Sequence, residues 1–154
     1  MQTLGFIGAF TGIKSEYRYL IEKFLYYSQD LNSPDTALSV LCIDWDMRND
    51  YKTQIETFMK GIPWDNGQLR VTGFFQAGEL LRTHPEQRLL DYLLSVVDNQ
   101  DEELENRKAA FKALARGLGL DWDEIDKFLN LNDFQDNVVV KEIIEKARDL
   151  FDSD

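Results

Sequence analysis

Three tryptophans in this chain stand beside carboxylates: Trp45 between Asp44 and Asp46, Trp64 before Asp65, and Trp122 between Asp121 and Asp123, with Glu124 following. Tryptophan supplies much of the energy at protein interfaces, and carboxylates around it can meet Lys or Arg of a partner and steer its approach. A surface built from Asp121, Trp122, Asp123 and Glu124, joined by Trp64 and Asp65, would therefore suit a basic protein. The competing arrangement is a half-buried ring at the start of an element with its N–H hydrogen-bonded.

Asp44 and Asp46 also admit a second chemistry. They follow the apolar run Val40-Leu41-Cys42-Ile43, and an extended backbone would put both carboxylates on one side, spaced to share Mg2+ with a phosphate. Such a site needs a cation and further acids, and only Arg48, Asp50 and Lys52 are near in sequence. The simpler role is an N-cap, with Asp46 opening the next helix and Asn49 three positions on.

Gly8 and Gly12 lie in Gly5-Phe6-Ile7-Gly8-Ala9-Phe10-Thr11-Gly12, where a strand leading into a helix would be the context of a dinucleotide turn. The chemistry is wrong in two respects. Phe10 occupies the position where backbone should approach the pyrophosphate, and Asp44, the acid available for a ribose hydroxyl, lies 36 residues beyond Gly8 instead of about 20. Nucleotide or Mg2+ binding through Gly8, Gly12, Asp44 and Asp46 is thus the alternative reading, and tight packing is the simpler use of these glycines.

Single His and Cys residues exclude most catalytic constellations. His84, beside Pro85, reads as a helix-start residue, and Cys42 sits in an apolar run without a nucleophile signature. The stretch from Arg107 to Arg116 is basic on one side and leads through Gly117 and Gly119 to a new helix, as in a helix-turn-helix. That second helix opens on Asp121, Asp123 and Glu124, which would repel phosphates. No catalytic residue, cofactor or metal is expected.

The elements that must position these residues follow from periodicity. Apolar runs over 3–10, 37–44 and 68–75 have strand length. Tyr17, Leu20, Ile21, Phe24 and Leu25 predict a helix of about four turns closed by Asn32-Ser33-Pro34-Asp35, and Tyr51, Ile55, Phe58, Met59 and Ile62 predict a second. Thr83 and Glu86 form a capping box for a helix reaching about Val97; helices over about 101–118, from Asp121, and from Phe134 or Val138 to Phe151 complete the chain. The expected fold is α+β and predominantly helical: a small N-terminal βαβαβ-like unit packed against C-terminal helices, with an all-α fold as the rival.

Length and composition set the remaining bounds. At 154 residues and 44% apolar, the chain fits a single domain over 1–154, with a mixed half at 1–76 and a helical half at 77–154. The net charge is -11, and residues 101–154 contribute -7 of it from 15 acids and 8 bases. Such a field disfavours nucleic acid and anionic membrane surfaces and attracts basic ones. No run is long enough to span a membrane, and Met1 to Phe10 lack the marks of a leader, so a cytoplasmic location is expected. Together these features predict a non-enzymatic, acidic cytoplasmic protein that binds and inhibits a basic partner, a toxin-immunity protein being one form. A structural subunit of a larger assembly is the third reading.

Overall fold

The computed structural model describes residues 14–30, 32–129 and 134–150, and the run at 3–10, with Gly8 and Gly12, lies outside them. The described residues are helical throughout: α1 (Lys14–Glu22), α2 (Asn32–Ser39) widening into a π-helical turn (Val40–Asp44), a 3-10 turn (Arg48–Tyr51), α3 (Lys52–Lys60), α4 (Gln68–Thr83), α5 (Gln87–Asp98), α6 (Leu104–Gly117), α7 (Trp122–Leu129) and α8 (Val138–Asp149). No strand occurs among them, which overturns the expected βαβαβ unit and agrees with the all-α rival. Nor is any of these helices long and apolar enough to cross a membrane.

The chain divides into two compact units, 1–73 and 74–154. In the first, the run over 37–44 is helical because its buried residues belong to a stripe that begins earlier and ends later: Ser33, Ala37, Leu41 and Trp45 follow at four-residue intervals and all are buried. Pro34 sits in the first turn of α2, where a missing N–H costs nothing, so the segment expected to close a helix opens one. Asp30 prepares this start: its carboxylate accepts from Asn32 N at 3.1 Å and from the Ser33 hydroxyl at 2.8 Å, and these bonds, the hydroxyl's foremost, hold it below the usual carboxylate range. The first helix is shorter than expected, because α1 gives way to turns after Glu22, although Ile21 and Leu25 still enter the core.

At the end of α2, Trp45 N donates to Val40 O at 2.9 Å and Met47 N to Leu41 O at 2.9 Å, which widens the last turn. Val40, Leu41, Cys42 and Trp45 are buried there while Ile43 is half exposed. Tyr51 is buried at the start of α3, and its hydroxyl donates to Glu22 Oε1 at 2.7 Å; burial first, then this carboxylate, push the phenol well above its ordinary range.

The run over 68–75 forms part of α4. Two of the helix's buried positions are glycines: a Cβ on Gly73 would lie 2.6 Å from Met59 N, and one on Gly78 would lie 2.9 Å from the Ala113 Cα. They permit α4 to approach α3 and α6 backbone to backbone. In the second unit, Phe111 is fully buried and meets Phe128 and Phe134 edge to face, with centroids 6.1 and 5.5 Å away. Leu90, Leu93, Leu114, Ile125 and Val140 fill the surrounding core. Thr83 does not cap α5. Its hydroxyl donates to Glu79 O at 3.0 Å inside the last turn of α4, and α5 begins after an extended Glu86.

Cys42 is 1% exposed, and burial pushes its thiol up to about 12. Native protein at pH 8 should therefore leave a thiol reagent unreacted and release one equivalent when unfolded in guanidinium. Full reaction in the folded state within minutes would contradict the buried π-helical turn.

Candidate functional site

The residues around Trp122 are brought together by the end of α6. Gly119 adopts a φ of 99°, a region that Cβ makes costly for other residues. It closes a Schellman motif in which Gly119 N donates to Arg116 O at 2.9 Å and Leu120 N to Ala115 O at 3.1 Å. The chain is thereby folded back over Arg116. The Arg116 Nη1 donates to Leu120 O at 3.1 Å and to Asp121 Oδ1 at 2.9 Å, while its Nε donates to Glu79 Oε1 at 2.7 Å.

The same Glu79 oxygen accepts from Trp122 Nε1 at 2.8 Å. The ring stacks on Phe75 with centroids 4.8 Å apart and planes 19° apart, and the Arg116 guanidinium lies 5.7 Å from the indole centroid. Only 11% of the Arg116 side chain and 16% of Glu79 is exposed, so the pair works in a medium of reduced screening. The Glu79 hydrogen bond is the main influence holding the guanidinium protonated beyond its ordinary range.

Each sequence-predicted residue of this surface has a definite place. Trp122 is half-buried with its N–H engaged; Phe75, on its stacked face, is 38% exposed. Asp121 is 73% exposed at its side chain, yet it binds Arg116. Glu124 Oε2 accepts from Asp121 N at 3.1 Å, which is half of the expected capping box. Asp123, exposed in the first turn of α7, has no hydrogen-bond or ion-pair partner among the described residues. Asp126, a turn further on, meets Lys112.

Trp64 and Asp65 fall in the first unit. Trp64 is half-buried. The Asp65 Oδ2 accepts from Leu69 N at 3.0 Å, so this acid serves the N-terminus of α4, and its Oδ1 is buried without a hydrogen bond among the described residues. Trp45 is 1% exposed, which removes it from any docking surface.

The alternative metal site at Asp44 and Asp46 loses its extended-backbone premise, while Gly8 and Gly12 lie outside the described residues. Asp44 closes the π-helical turn and Asp46 has a φ of 54°, so no extended backbone aligns the two carboxylates, and no cluster of three metal-ligating side chains occurs among the described residues. Asp46 does not cap a helix either, because Met47 precedes the 3-10 turn and Tyr51 precedes α3. His84 is exposed just past the C-terminus of α4, bonded to the Thr83 hydroxyl at 3.0 Å, and not at a helix start. The basic stretch of α6 is largely consumed inside the molecule: Arg107 and Arg116 are buried and Lys112 meets Asp126.

Sequence reasoning missed Phe75, Glu79 and Arg116. Arg116 carried a signal, since it lies three residues past the core position Ala113 on a helix whose buried stripe also includes Arg107, Ala110, Phe111 and Leu114. Compared with protein-family models, curated proteins and solved structures, the chain matches none.

Removing Glu79 would strand both Arg116 and the indole N–H. Glu79→Ala should cost about 2–4 kcal/mol in denaturant unfolding, and Glu79→Gln, which keeps an acceptor but no charge, about 1–2 kcal/mol. Tryptophan emission should move to longer wavelength in the alanine variant as Trp122 loosens. Equal stability of all three proteins would refute the cluster.

Proposed function

We propose that this protein is a non-enzymatic, cytoplasmic binder of a basic protein and that it acts by occupying its partner's cationic surface, as an inhibitor or immunity protein would. The observation that carries the reading is Asp123, an exposed carboxylate without an internal partner among the described residues, next to a rigid, half-exposed aromatic pair of Phe75 and Trp122. The aromatic pair is held in place before binding, so little side-chain entropy is lost when a partner covers it. The chain from residue 101 on carries a net -7, a field that would accelerate encounter with a cationic surface.

The internal duties of the neighbouring acids refine the expected contact set. Asp121 neutralises Arg116 and Glu124 holds the start of α7, so both contribute field more than direct contacts. Asp123 has no hydrogen-bond or ion-pair partner among the described residues, only the dipole contribution of an acid in the first turn of α7, and offers the cleanest substitution. Trp64 and Asp65, in the first unit, remain proposed contact residues in their own right.

The test is affinity capture from a lysate of the source cells on the immobilised protein, followed by mass spectrometry and titration of the recovered partner. The expected partner is basic, and its affinity should fall by at least about tenfold between 50 and 500 mM salt, with Asp123→Lys weakening it a further ~3–10-fold at low salt while the fold stays intact, its melting temperature lowered only by the lost helix-dipole contribution. An acidic partner, or a basic one bound equally well at both salt concentrations and by the variant, would sink the reading.

A further inference from the structure

Two arginines of α6 are buried, Arg107 at 6% and Arg116 at 9% exposure, and their surroundings differ in one respect. Arg116 has two carboxylates. Arg107 has none within 4 Å among the described residues: its Nε donates to Val97 O at 2.9 Å, its Nη1 to Gln100 Oε1 at 3.3 Å, and its guanidinium lies 5.7 Å from the centroid of Phe134. A buried cation without a counterion is costly, and neutral acceptors with one aromatic face compensate only part of that cost.

The same guanidinium lines a cavity of about 160 Å³ in the second unit. Its lining is mixed: Val97, Phe134, Val140 and Ile144 form an apolar patch, Asp98, Gln100, Gln135 and Arg107 the polar part, and the exposed Lys141 also borders it. Lys141 is only loosely engaged, 3.9 Å from Asp136. The carboxylate of Asp98 also borders the cavity, but both its oxygens accept from Arg148 Nη2, at 2.8 and 2.7 Å, so it adds little net negative charge there. Gln135 Nε2 donates to Gln100 Oε1 at 3.1 Å and thereby fixes the amide that holds Arg107.

From a buried arginine without a carboxylate partner among the described residues, an apolar patch beside it and a lysine at the cavity's edge, we infer that this cavity binds a short aliphatic carboxylate, its head on Arg107 and its tail against Val97, Phe134, Val140 and Ile144. The planar guanidinium matches a carboxylate, and the apolar patch beside it suits a short hydrocarbon tail. The chain's net charge of -11 also makes a monoanion less costly to admit than a dianion. The site is independent of the acidic docking surface, and either assignment can fail without the other.

The experiment is a titration of the isotope-labelled protein with sodium butyrate, followed by NMR at the Arg107 side-chain N–H and the Val97, Val140 and Ile144 methyls, at constant ionic strength. Saturable shifts confined to these groups are expected, with butylamine, the same tail bearing the opposite charge, binding at least about tenfold more weakly. Ile144→Trp should fill the cavity and abolish the saturable shifts while leaving Arg107 in place, and Arg107→Gln should abolish them by removing the charge. If Arg107→Gln fails to fold, the Ile144→Trp protein still decides the matter. An acetylated tripeptide ending in valine supplies the same carboxylate from a polypeptide, and whichever of it and butyrate binds more tightly identifies the source. Shifts that grow linearly without saturating, or that butylamine reproduces, would overturn the assignment.

Discussion

One oxygen of Glu79 accepts two hydrogen bonds, from Arg116 and from the Trp122 indole, and the arrangement of residues around Trp122 depends on that sharing. It ties α4, α6 and the start of α7 together through a single polar centre. The arrangement holds because Gly119 folds the chain back at the end of α6, so that Leu120 and Asp121 reach the far side of the guanidinium. A buried ion pair is not in itself a strong source of stability, since desolvation offsets much of the Coulomb gain. Its value here is positional: the Trp122 ring is fixed in one orientation, its N–H satisfied, with Phe75 stacked on one face. The exposed chemistry at the start of α7 is therefore set by groups that are themselves mostly out of solvent.

The helices of the second unit were largely legible in the sequence, because α5, α6 and α8 bury apolar residues at regular helical spacing and α6 ends in a glycine suited to positive φ. The N-terminal reading failed for a physical reason. Short apolar runs are compatible with either a strand or one turn of a buried helix, and the deciding residues lay beyond the runs: Ser33 and Trp45 complete the stripe of α2. For α4, the buried face includes Gly73, Gln76 and Gly78, none of which an apolar count recognises. At the two glycines, close backbone approach, not side-chain hydrophobicity, makes the position part of the core.

The candidate surface was partly legible. Trp122 and its carboxylates were visible as a motif, and the structure keeps them together, but their internal bonds were not, because the partners Glu79 and Arg116 lie elsewhere in the chain. Charge had the same limitation: a basic stretch from Arg107 to Arg116 reads as a surface feature, yet both end residues are buried for different reasons. A local sequence window reports which charges exist; burial and pairing, which decide what they do, are set by residues tens of positions away.

The widened turn at Val40–Asp44 constrains the chain in another way. In an α-helix of constant pitch the inward direction advances by a fixed angle per residue, whereas a π-helical turn holds an additional residue and so introduces a phase slip between the backbone on its two sides. Trp45, the largest of the fully buried side chains among the described residues, comes directly after that slip. Shortening the segment by one residue would reset the angle and rotate the indole away from the interior, so the length of this stretch of backbone is constrained even where the identity of its individual residues is not.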